Sequence, residues 1–468
     1  KDKNKNLLYT VLSLGAVLAI YTVLPMFARD CIPHDMIENL YWGKEMQFGY
    51  DKHPFLFAWI SYGFFRLFGN VPESMYLLTQ LNMALGMFFI YKIGRMFLGS
   101  RDKALMSLLL FSSTLIVSLG NQKLNANTIL ISLLPMAFYL FARFAERPTI
   151  ANSALFGASC GLAVMGKYFA ALPIFAFAAV YFCKKSNRQS FSTIYPYIAV
   201  LSFLAIVSWN FIWLWQHDFV SFQYAFDKAA GTPDALEGRV KYPLQYLLGQ
   251  VVTVLPALLI IYRRRRGGAV SLMPSFRFGD YRKFMVEFVF VVPLAAMFVI
   301  PLLLNIRIGE YWATPLWYLF GTYILMKNDI KLDVAKVCRY VLILNIFIAL
   351  ISLTGRIVMR KHALKHPEKT VVAFFNAREA ADYITVKWRE RFGAEKPIKY
   401  LVADKMTHAL AVYLPDNPSL YLGEGTPSSC YLATWLVSGE QNARPGLDGF
   451  DFTTKNGHKI RVEFMCQD

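Results

Sequence analysis

Apolar runs long enough to cross a membrane recur along the chain, and they limit its fold more than any other feature. The hydrocarbon layer of a bilayer is ~30 Å thick, so a helix of about 20 residues crosses it. The sequence predicts eleven such helices, at about residues 7–28, 75–94, 104–120, 127–142, 149–166, 169–182, 191–215, 244–262, 284–305, 312–326 and 338–359. Since 56% of the 468 residues are hydrophobic and 17% are charged, we expect an α-helical polytopic membrane protein.

One further apolar segment, "PFLFAWISYGFFRLF" at 54–68, differs from the predicted spans. It is short and aromatic, and Arg66 interrupts it. These properties favour a helix that lies in the membrane interface over one that crosses the bilayer.

The distribution of Lys and Arg predicts the orientation, because basic loops stay in the cytoplasm. With "KDKNK" inside, every second loop is basic, including "YKIGRMFLGSRDK", "RFAERP" and "CKKSNRQS". The net charge of +18 then reflects cytoplasmic anchors, which argues against nucleic-acid binding. "RRRR" at 263–266 is interpreted as such an anchor, with a lipid headgroup site as the alternative.

The character of the chain changes at about residue 360. The sequence predicts a transmembrane domain at 1–359, with a first outer loop at 29–74, and a periplasmic α/β domain at 360–468. In the tail, "KTVVAFF", "IKYLVAD" and "SLYLGE" are predicted strands, and "FDFTTKNGHKIRVEF" is a predicted hairpin. "NAREAADYITVKWRERFG" is a predicted helix, capped by Asn376 and ended by Gly393.

The tail also contains two cysteines, Cys430 and Cys466. In an oxidising compartment they either form a disulfide or remain two buried thiols, and the sequence leaves both alternatives open.

Ionisable residues beside a membrane are costly unless they are solvated, paired or used, so the outer loops are where we look for chemistry. The polar candidates are His34, Asp35, Glu38, Lys52 and His53 in the first loop, Lys167 and Tyr168 in a tight turn, Asn210 and His217, and Arg307, Glu310 and Tyr311. Carboxylates together with cations suit an enzyme that binds a phosphate and deprotonates a hydroxyl. Interfacial snorkelling of Lys52 and Arg307, and simple solvation of His217, remain alternatives.

The motifs of these loops resemble a known family. Asp35, Tyr41-Trp42, "GYDKHPFLFAWI", "GKY" at 166–168 and "WN...QHDFVSF" at 209–222 occur in the order seen in polytopic glycosyltransferases of the C-type fold. The resemblance is to bacterial relatives of dolichyl-phosphate-mannose protein mannosyltransferases and of lipid A aminoarabinose transferase. One difference is that Met36 follows Asp35, where many members have an acidic residue.

The resemblance implies transfer of a sugar from a polyprenyl-phosphate donor to a lipid or glycan acceptor, such as lipid A or lipopolysaccharide, at the periplasmic face of a bacterial inner membrane. Asp35 is then the expected catalytic base, with Glu38 in support. The expected donor-phosphate ligands are Lys52, Lys167, Arg307 and Tyr168, and the expected pocket residues are His53, Trp42, Asn210, His217, Glu310 and Tyr311. No cofactor is required by the pattern, and a divalent metal at His34, Asp35 and Glu38 is left open.

Three other functions remain as alternatives. A protein O-glycosyltransferase would use the same class of donor. A lipid or sugar transporter would more often gather its charges near the membrane midplane. A noncatalytic scaffold would use the tail as a binding module.

Overall fold

The structure is a computed structural model, and it describes residues 2–230, 235–264, 270–330, 333–366, 371–421, 430–436 and 449–465. Helices dominate these residues. They are α1 (Asp2–Ala28), α2 (His34–Glu45), α3 (Leu56–Leu67), α4 (Ser74–Leu98), α5 (Arg101–Ser112), α6 (Leu130–Glu146), α7 (Ile150–Gly166), α8 (Ala171–Cys183), α9 (Lys185–Gln189), α10 (Tyr195–Gln216), α11 (Val220–Ala229), α12 (Ala235–Arg264), α13 (Tyr281–Leu304), α14 (Phe320–Lys327), α15 (Val334–Lys365), α16 (Ala377–Phe392) and α17 (Leu410–Tyr413).

The helices confirm the predicted class of an α-helical polytopic membrane protein, but not the predicted number of spans. Within the described residues, six helices are long and apolar enough to cross a membrane, or up to seven if the bent pair that includes α8 and α9 counts as one span. Several predicted spans form shorter or broken helices. The segment 104–120, for example, divides into α5 and a π-helical turn at Ile116–Gly120.

The described chain divides into two compact units. The first unit contains residues 1–21, 47–57 and 79–348, and the second contains 22–46, 58–78 and 349–468. The second unit therefore combines the tail with parts of the first outer loop. The predicted domain boundary between 359 and 360 stays a prediction.

Small residues let helices of the first unit approach closely. At Gly157 of α7, an added Cβ would lie 1.9 Å from the carbonyl oxygen of Ala199 in α10. At Gly86 of α4, it would lie 2.4 Å from the carbonyl oxygen of Ile131 in α6. Membrane helices gain van der Waals contact through such small residues, because no hydrophobic effect drives their association within lipid.

In the second unit, the tail forms a mixed sheet beside α16. Its described strands are β1 (Tyr400–Ala403), β2 (Ser419–Leu420), β3 (Tyr431–Leu436), β4 (Gly449–Thr453) and β5 (Lys459–Met465), in the order β2-β1-β3-β5-β4. β1 is parallel to β2 and β3, whereas β5 is antiparallel to β3 and β4. This sheet confirms the small α/β domain.

Local signals in the tail predicted most of its elements. The side chain of Asn376 accepts a hydrogen bond from the backbone N–H of Glu379 at 3.3 Å, and Gly393 ends α16 with φ of 90°. The β4–β5 hairpin turns at Gly457, whose φ of 79° favours glycine. The strand predicted for "KTVVAFF" is wrong, because Val372–Phe374 forms a 3₁₀ turn.

Cys430 is disulfide-bonded. Its predicted partner, Cys466, lies outside the described residues. Cys31, Cys160, Cys183 and Cys338 are free thiols.

Candidate active site

The "GYDKHPF" motif of the first unit forms a tight loop that neighbouring helices hold by its backbone. The backbone N–H of Tyr50 donates to the carbonyl oxygen of His53 at 3.0 Å. The amide Nδ2 of Asn210 donates to the carbonyl oxygen of Phe48 at 2.7 Å, and the hydroxyl of Ser221 donates to that of Tyr50 at 2.5 Å. The loop that carries Lys52 and His53 is therefore fixed by α10 and α11.

Close contact with Trp213 of α10 explains the glycine of this motif. A Cβ on Gly49 would lie 2.3 Å from Cε3 of Trp213, so only glycine fits without a shift. The indole Nε1 of Trp213 donates to Oε1 of Gln47 at 3.1 Å. The ring of His217, which is exposed, stacks on the same indole with centroids 4.1 Å apart.

Lys167, the candidate in the tight turn after α7, is buried at 8% exposure. Its ammonium donates to Oδ1 of Asn127 and lies 4.2 Å from the ring centroid of Trp312. Among the described side chains it has no carboxylate partner. Burial, together with the nearby charge of Lys228, lowers the pKa of Lys167 to about 7.

Tyr168 and Asn210 connect this turn to α10. The hydroxyl of Tyr168 donates to Oδ1 of Asn210 at 3.0 Å, and Asn210 itself is buried. The ring of Tyr168 also stacks on Phe222 of α11 with centroids 5.0 Å apart. The side-chain amide of Asn210 thus accepts one hydrogen bond and donates another, and it joins the "GKY" turn to the "GYDKHPF" loop.

Several cations surround α11. Lys52 and Lys228 lie on the ring of Tyr224, with their nitrogens 5.8 and 5.4 Å from its centroid, and Lys228 also donates to its hydroxyl at 3.1 Å. The backbone N–H of Arg307 donates to the carbonyl oxygen of Ala229 at 2.9 Å, and its side chain is exposed. Lys52, Lys167, Lys228 and Arg307 are called the α11 cation group below.

The last predicted cluster of the first unit lies around a 3₁₀ helix at Glu310–Leu319. Tyr311 is exposed, and Trp312 covers the ammonium of Lys167. The side chain of Glu310 lies outside the described part of the chain.

The predicted carboxylates belong to the second unit, at the start of α2. The helix begins at His34, directly after Pro33. Nδ1 of His34 lies 3.7 Å from Oε2 of Glu38. Ligand atoms of His34, Asp35 and Glu38 all lie within 4.8 Å of one another, so this cluster has the residue types and spacing to hold a divalent ion.

A histidine of the tail, His408, lies beside this cluster. Its ring centroid is 6.1 Å from that of His34 and 6.2 Å from that of Tyr41, and Tyr41 contacts the buried Trp42 edge to face. Burial and the neighbouring His34 lower the pKa of His408. No local signal in the sequence predicted His408 as a site residue, because it lies far along the chain from His34.

The structure thus gathers most predicted residues of the first unit around α10 and α11, whereas Asp35, Glu38 and Trp42 belong to the second unit. Residues that the sequence analysis missed are Asn127, Tyr224, Lys228 and Trp312. Lys228 ends the polar run that contains "QHDFVSF", and this was the signal available for it.

The described fold combines long apolar helices with a small α/β tail. A family model described as dolichyl-phosphate-mannose-protein mannosyltransferase matches residues 52–213. The matched part includes the "GYDKHPF" loop, the "GKY" turn and α10. No curated protein matches the chain at a significant level.

Solved structures extend the likeness to nearly the whole chain. ArnT from Cupriavidus metallidurans, solved in complex with undecaprenyl phosphate, has a TM-score of 0.64 and 12% identity, and the match covers 97% of each chain. The apo structure of the same protein gives the same values. The shared fold and the family model confirm the predicted fold class and resemblance, and they support the predicted class of enzyme, a membrane glycosyltransferase.

Proposed function

We propose that this protein transfers a sugar from a polyprenyl-phosphate donor to an envelope acceptor at the periplasmic face of the bacterial inner membrane. The similar fold of ArnT, which was solved with undecaprenyl phosphate, supports this class of donor. The family model supports sugar transfer. A donor with a long isoprenoid tail stays in the bilayer, so its enzyme needs a membrane fold.

The observation that carries the proposal is the α11 cation group. Lys167 is buried, and its ammonium packs against the ring of Trp312 and donates to the amide oxygen of Asn127. The charge of Lys228 is close enough to lower its pKa further. The ammonium of Lys167 is buried and feels the like charge of Lys228, which is itself exposed, so the charged form of Lys167 is costly until an anion neutralises it. A phosphate does this, and as the leaving group it gains negative charge during the reaction.

Asp35 is proposed as the base that removes the proton from the acceptor hydroxyl. The acceptor oxygen then bonds to the anomeric carbon, and the bond from that carbon to the phosphate oxygen breaks. Polyprenyl phosphate leaves with the electron pair, and a single displacement inverts the anomeric centre. Glu38 is proposed to support Asp35, and a divalent ion held with His34 is an alternative role for both carboxylates.

The side of the membrane and the acceptor belong to the proposal as well. The basic loops support a cytoplasmic amino terminus and a periplasmic domain at 360–468, which follows a transmembrane catalytic domain at 1–359. An active periplasmic reporter fused after residue 468 is expected, and activity of a cytoplasmic reporter alone would contradict the orientation. The proposed acceptor is lipid A, lipopolysaccharide or another envelope glycan.

The test is transfer by the purified full-length protein in liposomes. A synthetic polyprenyl-phosphate sugar and extracted envelope lipids are mixed with the protein, and mass spectrometry follows the gain of one sugar on the acceptor. Comparison of envelope lipids from wild-type and deletion strains then identifies the natural product.

Two variants make the test specific. Lys167→Met and Asp35→Asn should each lower transfer, whereas Lys103→Met, which changes an exposed cation at the start of α5, should not. Sugar transfer to protein hydroxyls but not to lipids would replace the proposed acceptor. Movement of the intact donor across the bilayer without transfer would instead identify a transporter.

A further inference from the structure

A second charged site lies where α4 and α6 end and α5 begins, and the proposed reaction does not use it. A cavity of about 640 Å³ is lined by Tyr91, Lys92, Arg95, Met96, Arg101, Tyr139 and Arg143. These residues come from the last turns of α4 and α6 and from the start of α5. The volume lies in the range of small-ligand pockets, about 300 to 1,000 Å³.

The lining is strongly basic. Four of its seven residues are cationic, and no acidic residue lines it within the described chain. The ammonium of Lys92 lies 5.6 Å from the ring centroid of Tyr139, and Arg101 donates to the amide oxygen of Asn4 at 3.2 Å. Neither contact supplies a negative charge.

A neighbouring arginine, Arg282, differs from the lining cations because it has a carboxylate partner. Arg282 of α13 donates to the carboxylate of Glu146 at 2.8 Å and to the carbonyl oxygen of Met96, at the rim of the cavity, at 3.0 Å. By contrast, none of the four lining cations has an ion-pair partner among the described residues.

Two simpler explanations account for the presence of these basic residues but not for their arrangement around one cavity. Arg95 and Arg143 lie in last turns of helices, where the carbonyl ends favour a cation. Basic loops also anchor the cytoplasmic side, as the sequence predicts for this one. Neither effect requires four like charges to face one cavity, where they repel each other until an anion enters.

We propose that this cavity binds the phosphate-bearing headgroup of an anionic membrane lipid. Of the four lining cations, Lys92 and Arg101 are partly buried, whereas Arg95 and Arg143 are exposed. Tyr91 and Tyr139 add rings of the kind that sit at the level of lipid headgroups. Basic pockets between membrane helices bind anionic headgroups in this way.

The test is native mass spectrometry of the purified full-length protein in detergent, titrated with phosphatidylglycerol. Phosphatidylcholine, which carries no net charge, is the lipid control, and inorganic phosphate tests a soluble ligand. Each removed cation should weaken phosphatidylglycerol binding roughly fivefold. The double variant Arg95→Gln, Arg143→Gln should therefore lose roughly 25-fold in affinity, assuming the two effects add.

Lys103→Gln is the matched control, because Lys103 lies on α5 near the cavity, is exposed, and does not line it. It should bind phosphatidylglycerol as the wild type does. Equal binding by the double variant and the wild type would overturn the proposal. Binding of inorganic phosphate in the cavity without selectivity for phosphatidylglycerol would overturn the assignment to a lipid.

Thermal unfolding without added lipid shows whether the variants fold. If the double variant is unfolded, the single variant Lys92→Gln carries the test with the same expectation of a fivefold loss. Phosphatidylglycerol should also raise the melting temperature of the wild type more than that of the variant, because a ligand stabilises only the state that binds it.

Discussion

The buried ammonium of Lys167 predicts that donor binding depends on pH in an unusual range. Burial lowers the pKa of this lysine to about 7, so in the free protein the ammonium is charged at pH 6 and mostly neutral at pH 8. A bound phosphate favours the charged form and raises the pKa. Binding of the donor above pH 7 therefore requires uptake of a proton.

The size of the effect follows from this pKa. If the bound lysine stays charged, the apparent dissociation constant rises with the neutral fraction of the free protein, by about tenfold between pH 6 and pH 8. The donor is a phosphodiester, so its own charge does not change in this range. The same sign holds for stability: between pH 7 and the ordinary lysine pKa, the unfolded chain binds more protons, so this group makes the free protein more stable as the pH rises.

Substitution of Lys167 by methionine removes the charge but keeps a side chain of similar length. A lost charge-assisted contact with phosphate costs about 1.5 to 3 kcal/mol, which corresponds to roughly 10- to 150-fold in affinity. Lys167→Met should therefore bind the donor weakly, and its affinity should no longer fall between pH 6 and pH 8. Displacement of a fluorescent polyprenyl-phosphodiester from the purified protein measures both quantities.

Two results would refute this reasoning. The first is a wild-type affinity that is the same at pH 6 and pH 8. The second is a Lys167→Met protein that keeps the wild-type affinity and pH dependence. Lys103→Met, which changes an exposed lysine of α5, should behave as the wild type in both measurements.

Three further predictions address the base, the motif loop and the helix packing. Asp35→Asn should lower turnover by ~10² to 10⁴ with donor affinity nearly intact, and Glu38→Gln should do less; turnover near the wild-type rate would end the assignment of Asp35 as base. Asn210→Leu removes the hydrogen bond that its amide donates to the carbonyl oxygen of Phe48 and the one that it accepts from the hydroxyl of Tyr168, so it should lower the free energy of unfolding by about 1 to 3 kcal/mol; an unchanged melting curve would contradict a stabilising role for these bonds. Gly157→Ala should lower the melting temperature, because its Cβ would lie 1.9 Å from a carbonyl oxygen of α10, whereas Gly15→Ala, with no atom within 4 Å, should not.

Local sequence signals predicted those elements whose ends depend on neighbouring residues. Asn376 marks the start of α16 and Gly393 its end, because a side-chain cap and a positive φ act within a few residues. The strand predicted for "KTVVAFF" failed because β-branched residues form a strand only where a partner strand is available, and Val372–Phe374 pairs with none among the described strands.

The number of spans is a second point where local pattern did not suffice. An apolar run does not distinguish a full crossing from a shorter helix enclosed by others. α5, for example, has a continuous buried stretch from Ala104 to Ser112 but is only 12 residues long. Helices enclosed by protein are as apolar as helices that face lipid, so composition alone does not give the number of spans.

The sequence by itself determined the class of the protein and the motifs that carry its chemistry, because hydrophobicity, helix caps and the order of motifs are properties of neighbouring residues. Only the tertiary structure decided which charges meet. Lys228 joins Lys167 and His408 joins His34 through contacts between distant segments. Two of the basic loops, "YKIGRMFLGSRDK" and "RFAERP", were interpreted from the sequence as topology anchors, and both contribute cations to one cavity for the same reason. Charge and burial act through space, and the distances through space are set by packing of the whole chain.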